Sequence, residues 1–230
     1  MFKQFLNVVQ NYFEAAKPMD NESSTRAHRG ELRDALLAAA TETIAERGHQ
    51  ALRARDLASQ VGCSVGSIYN VFPDIDALIL AVKGQTLDRL EREVQLRLGP
   101  FPGGTPRDAS DRFLALAKIY IEFAHENWRL WSSAFEHTSP DSPALDDYMK
   151  RLDIILANIE APLGALLPEI DATQRRLLAR GLFGSVNGVV TLGLDQKLGA
   201  ISLEELGWQV ETVLSATLRG LIGAAAFPKP

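Results

Sequence analysis

The stretch ALRARDLASQVGCSVGSIYNVFPDIDALILAV, residues 51–82, decides how the whole chain is read. A short helical segment, Ala54 to Val61, is broken by Gly62-Cys63-Ser64, and a second runs from Val65 to Val71. Pro73 closes it, because the residue before a proline is pushed out of helical geometry. A longer helix then spans Ile75 to Leu98. Upstream, Glu31 to Arg47 places Leu32, Ala35, Leu36, Ala39, Ala40, Thr43 and Ile44 on one stripe, and Gly48 is placed to stop that helix. Short helices in quick succession, with a glycine at the tight turn, form the pattern of a helix-turn-helix. Leu57, Ala58, Val61 and Ile68 are the small or apolar residues needed where the helices cross. Ser64, Val65, Gly66 and Ser67 are short enough for backbone and side chains to approach base edges, with Asn70 one turn on. Tyr69 can hydrogen-bond a phosphate while its ring braces the helix. A three-helix bundle with no nucleic-acid role fits the same residues.

Beyond this stretch, GPFPGGTPRD (99–108) is a loop, and helices are expected at about 108–126, 128–137, 143–167, 172–197 and 202–225. No hairpin signal or internal repeat is visible, so the expected class is all-α. Residues 1–17 place Phe2, Phe5, Leu6, Val9, Tyr12 and Phe13 at helical spacing, and Pro18 with MDNESSTRAHRG reads as a linker. That first segment suits an appended helix on the protein's own surface or on a partner subunit. A membrane-surface helix is disfavoured by its few basic residues, and Met19 as the natural start is a further alternative.

The bulk numbers narrow the function. With 230 residues, 46 % hydrophobic and 23 % charged, the composition is that of an ordinary globular protein. The longest uncharged apolar stretch, Gly181 to Leu194, is too short for a bilayer and carries Gly, Ser and Asn, so no membrane partner is expected. A single cysteine, Cys63, excludes an internal disulfide and fits a reducing compartment, and no secretory signal is apparent, so the cytoplasm is expected. The net charge of −5 does not advertise nucleic-acid binding, yet its distribution is uneven. Residues 84–230 hold 15 basic and 19 acidic side chains, whereas residues 26–83 hold 7 of each, with Arg26, Arg29, Arg33, Arg53 and Arg55 near the start.

At these residues the chain resembles the DNA-binding domain of TetR/AcrR-type regulators. The matching elements are Glu46-Arg47-Gly48, Arg55-Asp56-Leu57-Ala58, Gly62-Cys63-Ser64, Ile68-Tyr69, Phe72-Pro73 and Ala77-Leu78. There are departures. Val71 stands where the family often has histidine, and Arg53 where it has a capping Ser or Thr. Ile75, flanked by Asp74 and Asp76, replaces a lysine that usually contacts phosphate. GLFGSVNGVVTLGL (181–194) is similar to a C-terminal subtype with the pattern W-x-x-x-H-G, with Phe183, Asn187 and Gly188 at the three positions.

The resemblance implies an N-terminal extension and linker (1–28), a helix-turn-helix domain (29–75) and a helical ligand-binding and dimerisation domain (76–230). It implies double-stranded operator DNA as partner, read by Ser64, Val65, Gly66, Ser67, Tyr69 and Asn70 with phosphate support from Arg33, Arg53 and Arg55. It also implies a homodimer through residues 172–225, where Gly181, Gly184, Ser185, Gly188, Gly193, Gly220 and Gly223 allow close approach. A small apolar or aromatic effector would release the DNA of a repressor. For its pocket we single out Tyr120, Phe123, Trp128, Trp131, Tyr148 and Phe183, with His125, Asn127 and Asn187 to orient it. Ordinary core packing explains the same aromatics. Two rival functions are a regulator without a small-molecule inducer, and an all-α binding module or enzyme with a look-alike helix-turn-helix. Catalytic motifs are not found in the sequence, and no cofactor is expected. Glu122 and His125 form one E-x-x-H unit without a second copy, so no metal site is expected.

Overall fold

The apolar periods of the sequence become nine α-helices and one 3-10 turn among the described residues, which are 20–135, 142, 144–196 and 199–223 of this computed structural model. In order these are α1 (Asp20–Arg47), the 3-10 turn (His49–Ala51), α2 (Ala54–Val61), α3 (Val65–Val71), α4 (Ile75–Leu98), α5 (Pro106–Glu126), α6 (Trp128–Ala134), α7 (Leu145–Leu166), α8 (Ala172–Leu194) and α9 (Leu203–Gly223). No strand occurs among the described residues, and the protein is all-α. The bounds of α2, α3 and α4 are those expected.

Several helix ends differ from the sequence reading by one to three residues, and two starts have a clear local cause. Helix α5 begins at Pro106, because Thr105 and Asp108 form a reciprocal capping box and a proline is harmless in the first turn. Helix α1 begins at Asp20, inside the stretch expected to be a linker. Residues 20–29 contain neither proline nor glycine, and polarity alone does not stop a helix. The amphipathic segment 1–17 lies outside the described residues.

Two apolar clusters organise the chain. The N-terminal one gathers Leu36, Ala40 and Ile44 of α1, Leu57 and Ala58 of α2, Ile68 of α3, and Leu78 and Val82 of α4. The C-terminal one gathers residues of α4 to α9, among them Leu87, Phe113, Trp131, Leu163, Val190 and Leu214. Two helices serve both. Helix α4 contributes Leu78 and Val82 to the first cluster and Leu80, Leu87 and Leu90 to the second. The short helix α6 contributes Leu130 to the first and its neighbour Trp131 to the second.

The seam between α4 and α7 is polar along its outer edge. The guanidinium of Arg151 pairs with Asp88 of α4 and with Asp147 of its own helix. It lies across Gly84, where a Cβ would come within 2.9 Å of the Arg151 Cδ. Further along, the Asn158 amide donates to Glu91 (2.6 Å), which also accepts from Gln95 (2.7 Å).

Helix α8 is the one described helix long and apolar enough to cross a membrane, with a mean hydropathy of 1.4, and only 17 % of that window is buried within the chain. Three arginines interrupt its first half, and two of them, Arg176 and Arg180, pair with Glu160 and Asp153 of α7.

Candidate nucleic-acid interface and ligand cavity

The turn between α2 and α3 depends on Gly62, which caps α2 at φ +75° in the left-handed region that a side chain disfavours. Its amide, and that of Cys63, return to the carbonyl of Ala58. Ser64 then caps α3. Its hydroxyl accepts from the Ser67 amide (3.1 Å) and lies 2.8 Å from the Ser67 hydroxyl. Ile68 is fully buried, while Ser64, Gly66, Tyr69 and Asn70 are exposed and Val65 and Ser67 half-buried. One face of α3 is thus pinned to the core and the other offers short polar groups and a tyrosine hydroxyl.

The three candidate arginines are all exposed, but they are held differently. Arg33 sits over the ring of Phe72, 5.3 Å from its centroid, which brings α1 beside the C-terminal end of α3. Arg53 precedes α2 and donates to the carbonyls of Gln50 (2.6 Å) and Leu52 (2.9 Å), so part of its donor set is engaged. Arg55 lies in the first turn of α2. At the start of α4, Asp74 accepts from the Ala77 amide (2.6 Å), a carboxylate at the positive end of a helix. Ile75, in place of the expected lysine, packs against the N-terminal core.

The ligand candidates separate into two groups. Tyr120 and Phe183 line an apolar cavity with an empty volume of about 580 Å³ including its opening. Asn187 accepts from the Tyr120 hydroxyl (2.7 Å). Burial holds the Tyr120 hydroxyl well above its ordinary pKa. Trp131 meets Tyr120 edge-on, Trp128 stacks on Trp131, and Phe135 joins Trp131 to Phe183. Trp131 is almost completely buried, and its N–H has no partner at hydrogen-bond distance. Tyr148 donates to the Ala134 carbonyl (2.6 Å), and burial pushes its pKa up to about 12. Trp128, Trp131 and Tyr148 are therefore packing behind the cavity and are not part of its wall.

The second group lies elsewhere. His125 is exposed, since five residues beyond Tyr120 a helix has turned by about 140°. Asn127 caps the α5–α6 junction, donating to the Phe123 carbonyl (3.0 Å) and accepting from Arg89 (2.7 Å). Phe123 is buried beneath that same Arg89, whose guanidinium lies 5.9 Å from the ring. Phe123 and Asn127 line a separate, more polar pocket with Arg89 and Glu126, and His125 lines neither that pocket nor the apolar cavity.

Aliphatic residues missed by a search for aromatics complete the wall: Leu90 and Val94 of α4, Ile155 of α7, Leu182 and Val186 of α8, and Leu214 of α9. The apolar spacing Leu80, Leu87, Leu90, Val94 was the signal for α4. Arg112, also missed, is buried and donates to the carbonyls of Leu98 and Gly99, closing the end of α4. Burial draws its pKa down against the opposing pull of Glu91.

On the outside of α8 and α9, Leu177, Leu192, Trp208, Val213 and Ile222 are exposed, Leu177 at 62 % and Trp208 at 65 %. Gly181, Gly184, Gly188 and Gly220 face open space. Gly193 alone of the named glycines packs internally in this pair, against Leu206 and Ile201.

Residues 36–82 match the family described as bacterial regulatory proteins, tetR family. Over 176 residues the chain is 25 % identical to the HTH-type transcriptional regulator BetI of Brucella abortus, covering 74 % of this chain and 86 % of that one. Among solved structures, a TetR transcriptional regulator from Rhodococcus sp. RHA1 superposes with a TM-score of 0.57 at 19 % identity, over 83 % of this chain and 97 % of that chain. The transcriptional regulator FadR from Bacillus subtilis in complex with stearoyl-CoA does so at 0.55 and 19 %, over 78 % and 96 %. The fold and the turn of α2–α3 are those of a helix-turn-helix domain. Residues 36–82 thus match the tetR family, and over most of its length the chain is similar to TetR-family transcriptional regulators.

Proposed function

We propose that the chain is a cytoplasmic, homodimeric repressor that binds a palindromic operator and is released by a small apolar effector. The observation that carries this reading is helix α4. Its first turns, through Leu78 and Val82, belong to the core that supports α3, and its later turns, through Leu90 and Val94, form cavity wall. A ligand that spreads the cavity acts on the same rigid rod that positions the recognition helix. In a dimer, two copies of α3 enter successive major grooves about 34 Å apart. An effector-favoured change in that spacing weakens DNA binding by a coupling of about 1–3 kcal/mol.

The α3 residues Ser64, Val65, Gly66, Ser67, Tyr69 and Asn70 read the operator, and Arg33, Arg53 and Arg55 act on phosphates. The exposed apolar side chains of α8 and α9, with glycines facing open space between them, suit burial against a second copy. The same exposure accounts for the apolar character of α8 without a membrane. A similar solved structure holding stearoyl-CoA supports an apolar effector.

The test is to select bound fragments from the source genome and measure their affinity, with the oligomeric state followed by light scattering. A dimer with a symmetric site is expected, and Gly188→Glu yields monomer that no longer binds it. A monomeric unmodified protein at micromolar concentration refutes the dimer. Failure to select any sequence refutes the operator.

A further inference from the structure

The cavity has walls of unequal chemistry. Of the thirteen residues that line it, only Tyr120 and Asn158 carry side-chain polar atoms, and none is charged. The Tyr120 hydroxyl is deep in the core and its proton is committed to Asn187. Asn158 is half-buried on α7 and lies beside Glu91 and the exposed Gln95 of α4. The polar atoms of the wall therefore sit at a neutral inner point and at an outer rim on the α4–α7 seam.

The rim has a definite polarity. A carboxylate only accepts hydrogen bonds, so Glu91 fixes the Asn158 NH₂ toward itself, at 2.6 Å, and turns the amide oxygen away. That oxygen receives only a long bond from Gln95, at 3.3 Å. Glu91 itself accepts from Gln95 and Asn158, and two carboxylate oxygens retain further lone pairs. Two arginines near this seam have fixed partners, Arg112 on the Leu98 and Gly99 carbonyls and Arg151 on Asp88 and Asp147, and neither lines the cavity. What the rim offers a newcomer is acceptor oxygen beside a negative charge.

We infer that the cavity takes an amphipathic molecule with an uncharged apolar body and a hydrogen-bond-donating head, a hydroxyl or an amine, held at Asn158 and Glu91. A carboxylate head is rejected, because it brings a second negative charge to Glu91 and has no proton to donate. The inference rests on reading the cavity as the effector site, and it adds Asn158 and Glu91 as the residues that set head-group specificity.

The test compares decanol, decylamine and decanoate on the full dimer at neutral pH, by calorimetric titration and by thermal stabilisation, with no DNA present. Decanol and decylamine are expected to bind at least about tenfold more tightly than decanoate. Shortening the alcohol is expected to weaken binding by about fourfold per methylene, as hydrocarbon burial requires. Glu91→Gln reduces the penalty on decanoate, whereas Asn158→Leu weakens decanol and decylamine while leaving the chain-length dependence intact. Equal or preferred binding of decanoate overturns the inference, as does binding of none of the three, or a head-group order unchanged in both variants. Operator release is measured separately with the same compounds. Binding in the expected order without release supports the head-group inference and refutes the regulatory role of the cavity.

Discussion

The two ends of the molecule expose opposite chemistries. Around α2 and α3 the outward residues include Ser64, Gly66, Tyr69, Asn70 and three arginines, and the aliphatic core residues are folded beneath them. On α8 and α9 the outward residues include Leu177, Trp208, Val213 and Ile222. The first kind of surface suits a phosphate backbone, keeping its water until a polyanion replaces it, and the second suits burial against an apolar partner face. The interiors differ too: the N-terminal cluster is built from aliphatic residues and Phe72, whereas the C-terminal one stacks aromatic rings beside a cavity.

The contrast can be tested by removing one anchor from each interior. Trp131→Ala takes away the ring that supports Tyr120, Trp128 and Phe135 and is expected to cost about 3–5 kcal/mol in chemical denaturation. Ile68→Ala, in the smaller core, is expected to cost about 2–5 kcal/mol and to weaken operator binding as well. A Trp131 variant that melts the C-terminal helices while operator affinity is unchanged would break the link between the cores.

Alkali should distinguish the regions more gently. The folded pKa of Tyr148, about 12, lies above its unfolded value near 10. Its contribution is therefore complete below pH 10 and lost as the pH rises toward 12, amounting to about 2–3 kcal/mol. Tyr120 shifts in the same direction. Stability measured across that range should fall, and Tyr148→Phe should flatten part of the slope; an unaltered slope contradicts the assignment.

The smallest expected effect is on the polar face. Arg55→Ala should weaken binding to all sequences alike and lower the salt dependence by about one unit in log–log slope. Arg53→Ala should show less of this, since its guanidinium already serves two carbonyls. Unchanged slopes for both, and for Arg33→Ala, remove the arginines from the proposed phosphate contacts.

Legibility followed the same division. The α2–α3 unit could be bounded to the residue because local signals dictate it: a left-handed glycine, a capping serine and a closing proline all act within ten or so residues. The cavity wall has no such local signal. Tyr120 and Phe183 were recognisable by type, but Leu90, Val94 and Leu182 are ordinary aliphatics whose role depends on which helices meet. Composition points to His125 and Asn127, yet it reports neither the helical phase that leaves His125 exposed nor the capping bond that Asn127 makes. The dual duty of α6, with Leu130 in one core and Trp131 in the other, is invisible until the two cores are seen together.

That dual duty limits how this protein can be recombined. The segment matched at 36–82 looks like an exchangeable cartridge, yet a graft ending there would sever α4 after about two turns. It would also leave Leu130, nearly fifty residues downstream, behind. Swapping DNA specificity between relatives should therefore succeed when α3 alone is rewritten on its existing support, and fail when the whole segment is transplanted without the matching side chain of α6.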